Sequence, residues 1–257
     1  MNDVDAPVIG IVGTGLVGAS IGMRARRGAR VLGADAVAEH ARAALRCGAL
    51  DEIVTPDELY GRCSLVVIAT PPKAVCMELR RLARSDHACS LVIDVASVKA
   101  PVVEAARGVK NFVATHPLAG NEGSGAGAAS ASLFEGHSWA YVPSGDAELD
   151  AEVCAFIKRM GAEPFACEAE RHDRMVAITS HLPQLLAWVL ADRMRDAGEE
   201  YESFCGPAGR EFLRLARSRP ELWKEILELN QHWIAPEGRA LCEALRELTT
   251  AEPDRDR

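Results

Sequence analysis

Short apolar runs alternate with stretches of helical periodicity over the first two thirds of the chain. Continuous apolar runs are typical of strands buried on both faces of a parallel sheet, and the stretches between them repeat apolar residues at three- and four-residue spacing. The predicted strands cover residues 8–12, 29–34, 53–54, 65–69, 91–95, 111–115, 139–143 and 163–167. Because strands and helices alternate, the pattern predicts an α/β domain with a doubly wound parallel sheet over residues 1–168.

The pattern changes near residue 168, where strand-like runs end and the helical period continues. The predicted helices cover residues 170–195, 209–217, 221–234 and 237–248, and Pro183 is expected to kink the first of them. We therefore predict an all-helical domain over residues 169–257, with a disordered charged tail from residue 252. Apolar stripes on so small a domain favour burial against a second copy, so a homodimer through residues 170–250 is expected.

A glycine-rich turn joins the first predicted strand to the helix that follows it. The turn is the run Gly13-Thr14-Gly15-Leu16-Val17-Gly18, and Asp35 stands at the end of the second strand. In such a run the first glycine allows a sharp turn, the second lets the backbone approach a pyrophosphate, and the third lets the helix pack on the strand. The start of the helix offers free N–H groups to the phosphates. The combination predicts a Rossmann-type dinucleotide site.

Asp35 indicates which dinucleotide binds. Its carboxylate can accept hydrogen bonds from the adenosine ribose hydroxyls, and its charge would repel a 2′-phosphate. Ala36 and Val37 provide no arginine to hold such a phosphate, so NAD is the expected cofactor and NADP the alternative. The formal net charge of the chain is −8, so any anion site has to be built locally from helix N-termini and a few arginines.

Composition limits the other partners. An acidic chain without a basic stripe is not expected to bind nucleic acid. No apolar run approaches the roughly 20 residues of a membrane span, and the short acidic N-terminus does not resemble a signal peptide. Eight cysteines are scattered without a CxxC pair, and no metal-ligand cluster is visible, so we expect no metal site and a reducing, cytoplasmic location.

Three polar residues follow predicted strands at the edge where ligands bind in open α/β sheets. They are Thr70, Ser97 and His116. A nicotinamide lying across that edge would reach the later strands, so Ser97 and His116 are the candidates for proton transfer beside it. A loop histidine without a role is the alternative for His116. Lys99 is interpreted as a helix-start residue, with a Schiff base or a proton relay as the alternative.

The helical domain contributes a histidine and a cationic face. His181 precedes Pro183, and a kink there can open a polar pocket. Arg210, Arg214 and Arg217 recur on one helical face that can clamp a carboxylate. The alternatives are a core or surface histidine and a solvated arginine face paired with glutamates. No partner is identifiable for the remaining histidines: His40, His87, His137, His172 and His232.

Further motifs occur in a fixed order after the glycine turn: Asp94-Val95-Ala96-Ser97-Val98-Lys99, His116-Pro117-Leu118-Ala119-Gly120, Ser180-His181-Leu182-Pro183 and Arg214…Trp223. This order resembles the prephenate/arogenate dehydrogenases of tyrosine biosynthesis over nearly the whole chain. The resemblance implies an oxidative decarboxylation in which hydride passes from C4 of a small anionic cyclohexadienol to NAD(P)+. It further implies that His116 is the base on the C4 hydroxyl and that Ser97 orients that hydroxyl.

The resemblance also implies roles at the substrate end. Arg214 would bind the ring carboxylate, His181 would hold the side chain, and Glu122 would line the pocket. The family usually has a threonine where Leu213 stands, and the segment 204–209 departs from its common glycine-rich form. Both departures leave prephenate, arogenate and a 4-amino-4-deoxy analogue open as substrates.

Two further classes remain as alternatives. A β-hydroxyacid or imine oxidoreductase would use a lysine on the helical domain, and residues 170–200 contain none. A dinucleotide-sensing protein without turnover would keep the glycine turn but would have no reason to place Ser97 and His116 at neighbouring strand ends.

Overall fold

Most of the predicted apolar runs are strands in the computed structural model, which describes residues 6–86, 88–121, 123–198 and 200–250. The chain divides into two units, Met1–His172 and Asp173–Arg257. Glu122 and the predicted disordered tail lie outside the described residues. Within those residues, none of the helices has the length and apolar character that a membrane crossing requires.

The first unit contains a parallel sheet of six strands. These are β1 (Val8–Val12), β2 (Arg30–Ala34), β3 (Glu52–Ile53), β4 (Leu65–Ile68), β5 (Leu91–Asp94) and β6 (Phe112–Val113). Their order in the sheet is β3-β2-β1-β4-β5-β6. This is the order of a dinucleotide-binding doubly wound sheet, whose direction of winding reverses between β1 and β4. The predicted fold class is confirmed.

Helices cover both faces of this sheet. They are α1 (Leu16–Ala25), α2 (Ala38–Arg46), α3 (Pro56–Arg62), α4 (Pro72–Leu82), α5 (Ala100–Ala105) and α6 (Ala147–Arg159). One apolar cluster includes Ile21 of α1 and Phe156 of α6, and a second includes Leu79 of α4 and Val102 of α5. The alternating strand residues therefore bury into two separate cores, which explains why these strands are apolar throughout.

The prediction of a single sheet extending to residue 168 is wrong. The predicted strand 111–115 ends in the parallel sheet at Val113, and the chain then enters a second sheet with the order β7-β8-β9. Its strands are β7 (Thr115–Pro117), β8 (Ser138–Tyr141) and β9 (Glu163–Ala166), with β7 antiparallel to β8 and β9 parallel to it. His116 therefore lies within β7, opposite Ala140, and not beyond a strand of the larger sheet.

The described part of the second unit is helical. It comprises the end of α7 (Ala169–Val176), a π-helical turn (Ala177–His181), α8 (Leu182–Asp196), α9 (Tyr201–Phe204), α10 (Pro207–Ala216), α11 (Pro220–Leu229) and α12 (Gln231–Thr250). The predicted kink at Pro183 takes the form of the π-helical turn just before it. Such a turn lets the helix continue past the position where proline cannot donate its backbone hydrogen bond.

The predicted break between residues 234 and 237 is wrong. Pro236 lies inside α12, and the helical conformation is interrupted instead at Asn230, between α11 and α12. The Asn230 side chain donates to the carbonyl of Asp173, a backbone group distant in sequence. Short amide side chains that bond elsewhere favour helix ends over helix interiors, which explains the position of the break.

Candidate active site

The glycine turn has the geometry of a pyrophosphate cradle. Gly13 has φ +90, and a Cβ there would approach the carbonyl oxygen of Ala69 at 2.6 Å. A Cβ on Gly18 would lie 2.0 Å from the carbonyl oxygen of Gly13, so neither position tolerates a side chain. A Cβ on Gly15 would meet nothing within 4 Å. The backbone thus packs tightly behind the turn and leaves open space in front of it.

Helix α1 begins directly at this open space. Gly15 is its N-cap, and no side chain caps the helix there. The first backbone N–H groups, at Leu16 and Val17, are therefore not capped by a side-chain acceptor, and the helix dipole adds partial positive charge there. These observations fit the pyrophosphate of a dinucleotide.

Asp35 is fixed against the glycine turn. Its Oδ2 accepts hydrogen bonds from the amide and the hydroxyl of Thr14 at 2.8 and 3.0 Å, and its Oδ1 accepts one from the Val37 amide at 2.9 Å. His40 Nδ1 lies 3.5 Å from Oδ1. The carboxylate is therefore oriented before any ligand arrives. The contacts of Thr14 and His40 with Asp35 were not predicted from the sequence.

Thr70 follows β4 beside the glycine turn. Its Oγ1 is buried and has no hydrogen-bond partner in the described part of the chain. Its methyl group would lie 2.8 Å from a Cβ on Gly13. An unpaired buried hydroxyl next to the cradle is suited to a ligand contact.

A buried ion pair holds the segment that carries His116. Lys99 Nζ lies 2.5 Å from Asp94 Oδ2, and both side chains are fully buried. Lys99 Nζ also donates to the Thr115 carbonyl at 2.5 Å, and the Thr115 amide donates to Asp94 Oδ1 at 2.9 Å. The indole of Trp139 donates to Thr115 Oγ1 at 2.9 Å. Every polar atom of Thr115, the residue before His116, therefore has a hydrogen-bond partner.

The same carboxylate shapes the turn that carries Ser97. Asp94 Oδ2 accepts the Ala96 amide at 2.8 Å, and Ser97 is half-buried in the turn between β5 and α5. Burial raises the pKa of the Asp94 carboxyl, and the Lys99 ammonium opposes that effect. Asp94 thus links the Ser97 turn to the start of β7, which brings the segments of the two predicted catalytic residues together. Lys99 is the N-cap of α5, in agreement with its interpretation as a helix-start residue, but its pairing was not foreseen.

His116 contacts a second histidine. Its Nδ1 lies 2.9 Å from Nε2 of His172, and the ring centroids are 5.1 Å apart at an interplanar angle of 71°. His116 is half-buried, whereas His172 on α7 is only 3% exposed. The sequence identified no partner for His172. The two residues are 56 positions apart, so no local pattern could have paired them.

In the second unit, His181 is part of a buried polar and aromatic group. The Asn230 amide nitrogen lies 3.1 Å from His181 Nδ1 and donates to the Asp173 carbonyl at 2.8 Å. His181 is 1% exposed, and its ring packs edge-on against Trp223 with centroids 5.9 Å apart. A surface histidine is excluded by this burial. Because an amide N–H donates, Nδ1 is the acceptor and the neutral ring carries its proton on Nε2.

Arg214 lies at a cavity of about 410 Å³ that is also lined by Arg210, Arg217, Glu202, Cys205 and Leu213. Its Nε donates to Glu211 at 2.9 Å, and this hydrogen bond lowers the pKa of the Glu211 carboxyl. The two alternatives stated from the sequence are therefore both present: Arg214 pairs with a glutamate, and cationic side chains are concentrated on this face. The cavity is suited to an anionic ligand.

The predicted site residues are distributed over both units. The glycine turn, Asp35, Thr70, Ser97 and His116 belong to the first, and His181 and Arg214 belong to the second. Among the described residues, no group of three or more His, Cys, Asp or Glu side chains is arranged to hold a metal ion.

The doubly wound sheet, its glycine turn with an oriented acid, and the helical second unit define a dinucleotide-dependent dehydrogenase. Comparison with known proteins identifies the group within that class. The family model for the nucleotide-binding domain of prephenate dehydrogenase matches residues 21–164, and the model for its dimerization domain matches residues 168–256. The chain belongs to the prephenate dehydrogenase family.

Individual relatives agree with this assignment. Prephenate dehydrogenase of Bacillus subtilis is 30% identical over 250 residues, which cover 91% of this chain and 67% of that protein. Cyclohexadienyl dehydrogenase of Zymomonas mobilis is 29% identical over 269 residues, covering 96% and 89%. The crystal structure of A. aeolicus prephenate dehydrogenase in complex with hydroxyphenyl propionate and NAD+ matches with a TM-score of 0.85 at 25% identity, covering 96% and 91%.

Proposed function

We propose that this protein catalyses the NAD-dependent oxidative decarboxylation of prephenate, arogenate or both, giving 4-hydroxyphenylpyruvate or tyrosine. The observation that carries the proposal is the placement of His116. It is half-buried on β7, fixed through Thr115 to the end of β5, and lies in the unit that carries the glycine turn. A general base beside a hydride acceptor needs such a fixed position.

His116 accepts the proton of the C4 hydroxyl in this proposal, and Ser97 orients that hydroxyl. Bound NAD+ supplies the acceptor for the hydride that leaves C4. The bond between the ring and its carboxylate breaks, CO2 leaves, and the electron pair of that bond completes the aromatic ring. The proton then returns from His116 to the phenolic oxygen, so the step conserves protons. A neutral imidazole suits this exchange near neutral pH.

The cofactor is held by backbone groups and one acid. The N–H groups of Leu16 and Val17 and the open space at Gly15 take the pyrophosphate, and Thr70 supplies a hydroxyl. The Asp35 carboxylate takes the ribose hydroxyls, which favours NAD over NADP. Arg42, the first arginine after Asp35 in the sequence, pairs with Glu39 at 3.3 Å.

The second unit binds the substrate in this proposal. Arg214 pairs with the ring carboxylate, and the concentration of arginines at its cavity supports an anionic ligand. His181 donates its Nε2–H to the side chain. Glu122 is proposed to line the pocket, although it lies outside the described residues.

The second unit also forms the homodimer in this proposal. An apolar groove of about 690 Å³ runs between α8 and α12, lined by residues that include Leu185, Val189 and Leu241. Val189 is 58% exposed in the single chain. A dimerization-domain match over residues 168–256 supports a second copy of this chain as the occupant.

Sedimentation equilibrium tests this dimer. The wild-type protein should have the mass of a dimer, and the variant Val189→Asp should have the mass of a monomer. The control Leu222→Asp, equally exposed at 57% but outside this groove, should stay dimeric.

We place the boundary between the two functional domains at residues 168 and 169, which lies between the gap in the family matches at residues 165–167 and the division of the two compact units after His172. We also propose a cytoplasmic location. All eight cysteines are free in the structure, which is typical of proteins in a reducing compartment.

The test is NADH formation by purified protein with NAD+, offered prephenate and arogenate in parallel. Turnover of either substrate supports the proposal, and turnover of one alone assigns the specificity of the Leu213 region. His116→Asn should abolish turnover and leave NAD+ affinity unchanged. If neither substrate reacts while NAD+ binds, the proposal fails, and the 4-amino-4-deoxy analogue and then the sensor function are tested next.

A further inference from the structure

We propose that His172 is a positioning residue that holds His116 in the one tautomer able to act as a base. The inference rests on the proposed function, because it assigns a role to the neighbour of the proposed base. It is carried by the contact between His116 Nδ1 and His172 Nε2, which are 2.9 Å apart.

The contact joins two separately anchored elements. His116 lies on β7, and His172 lies in the first turns of α7, where its amide donates to the Glu168 carbonyl at 2.8 Å. Hydrogen bonds at Thr115 fix the backbone before His116. That anchoring fixes the backbone and not the orientation of the imidazole ring, whose flip about its own axis would exchange the positions of its two nitrogens. A hydrogen bond to His172 removes this freedom.

The position of one proton decides whether His116 can act. Two neutral rings at this distance share a single hydrogen in the contact. If His116 Nδ1 carries it, the lone pair of His116 Nε2 is available for the substrate hydroxyl. If His172 Nε2 carries it, His116 Nε2 is protonated and cannot accept a proton. The proposed chemistry therefore requires that His116 donates and His172 accepts.

Burial gives the two rings different roles. His172 is only 3% exposed, whereas His116 is half-buried. The more exposed ring is the one that can meet a substrate, and the buried ring is suited to orient it. When His116 accepts a proton, its Nδ1–H bond to His172 becomes charge-assisted and strengthens. An interaction that strengthens as the proton moves lowers the barrier to that step.

The kinetic test compares two substitutions at one position. His172→Leu removes the acceptor, and we expect kcat to fall roughly 10- to 100-fold, the loss expected for one hydrogen bond to a charged group. The KM values for NAD+ and substrate should stay within about threefold, because the contact strengthens only during proton transfer. His172→Gln keeps a carbonyl acceptor and should restore most of kcat. His137→Leu replaces an exposed histidine and serves as the matched control.

A spectroscopic test does not depend on turnover. ¹⁵N–¹H NMR of the imidazole groups in the full-length protein reports which nitrogen carries hydrogen in each neutral ring, with His116→Asn and His172→Gln used for assignment. We expect His116 to carry hydrogen on Nδ1, and His172→Leu to shift it towards a tautomer mixture.

Either of two results overturns the inference: a neutral His116 protonated on Nε2, or full kcat in His172→Leu. If wild-type protein turns over neither substrate but His116 carries its hydrogen on Nδ1 because of His172, the positioning contact stands and the proposed function fails. The two failures are therefore distinguishable.

Discussion

Replacing Lys99 by methionine tests the buried ion pair that supports the site. Methionine nearly matches the length of lysine but leaves Asp94 without its cation where both side chains are fully buried. Breaking a buried pair in this way costs about 3–5 kcal/mol. Loss of the donor to the Thr115 carbonyl adds about 1–3 kcal/mol. Since the free energy of unfolding of a domain is typically about 5–15 kcal/mol, the variant should lose much of it.

Thiol labelling measures this loss in the first unit alone. Cys63, Cys76 and Cys89 are buried there, and burial raises the pKa of Cys63 to about 12 and of Cys89 to about 11. These thiols therefore react with an alkylating agent only after the unit opens. Alkylation pulses at increasing urea concentrations, followed by mass spectrometry, give the urea concentration at which each cysteine is half-labelled, which is the midpoint of unfolding of the unit. Lys110→Met, at an exposed position, is the control and should leave the midpoints unchanged.

The double variant Asp94→Asn/Lys99→Met separates pairing from packing. With both charges removed, its loss in free energy of unfolding should be about 2–3 kcal/mol smaller than the sum of the losses in the two single variants. In Lys99→Met alone, the pKa of Asp94 in the folded protein should rise further above its unfolded value. The variant then keeps its stability below the pKa that Asp94 has in the unfolded chain and loses it as pH rises through the pKa that Asp94 has in the folded protein. The loss of stability relative to wild type should therefore be smaller near pH 4, about the pKa in the unfolded chain. A single variant within about 0.5 kcal/mol of wild type, or strictly additive losses, would refute the reasoning.

Three further substitutions test other parts of the site. Asp35→Asn should lower the ratio of the NADP+ to the NAD+ dissociation constant by at least about tenfold in titration calorimetry, because the charge that repels a 2′-phosphate is gone. Gly18→Ala should abolish soluble folded protein, because its Cβ would lie 2.0 Å from a carbonyl oxygen, whereas Gly28→Ala, with nothing within 4 Å, should fold normally by circular dichroism. Asn230→Leu frees His181 to change tautomer and should raise the substrate KM roughly 10-fold with little change in NAD+ affinity, measured by steady-state kinetics.

The parallel sheet was predictable because its strands are buried on both faces, which leaves a continuous apolar run in the sequence. The segment 111–115 shows the limit of that signal. Its apolar residues fit either sheet, and the change of sheet at residue 114 is accompanied by a long-range hydrogen bond from the Thr115 amide to the side chain of Asp94, at the end of β5. Helix α3 was missed although its signal is local. Thr55 is its N-cap and forms a capping box with Glu58 in its first turn, a pattern visible in the sequence alone.

The glycine turn and Asp35 were predictable for a different reason. Their requirements concern the backbone, and a backbone that must turn sharply or pack within van der Waals distance selects glycine at fixed spacing. The structure shows that requirement directly, since side chains at Gly13 and Gly18 would collide with carbonyl oxygens. The end of β5 could be located from its apolar run, which is why Ser97 was identified as a candidate. His116 was identified by the same argument, although it lies within β7 and not at a strand end.

The residues that support these candidates were not predictable, because each contact joins segments far apart in the chain. His172 lies 56 residues from His116, and Asn230 lies 49 from His181. In both pairs a buried side chain contacts a ring nitrogen of a histidine, which a pattern of residue types does not encode. A histidine recognised from its position alone is therefore only half of such a contact. The sequence identified each histidine as a candidate, and only the fold shows the buried residue that contacts its ring nitrogen.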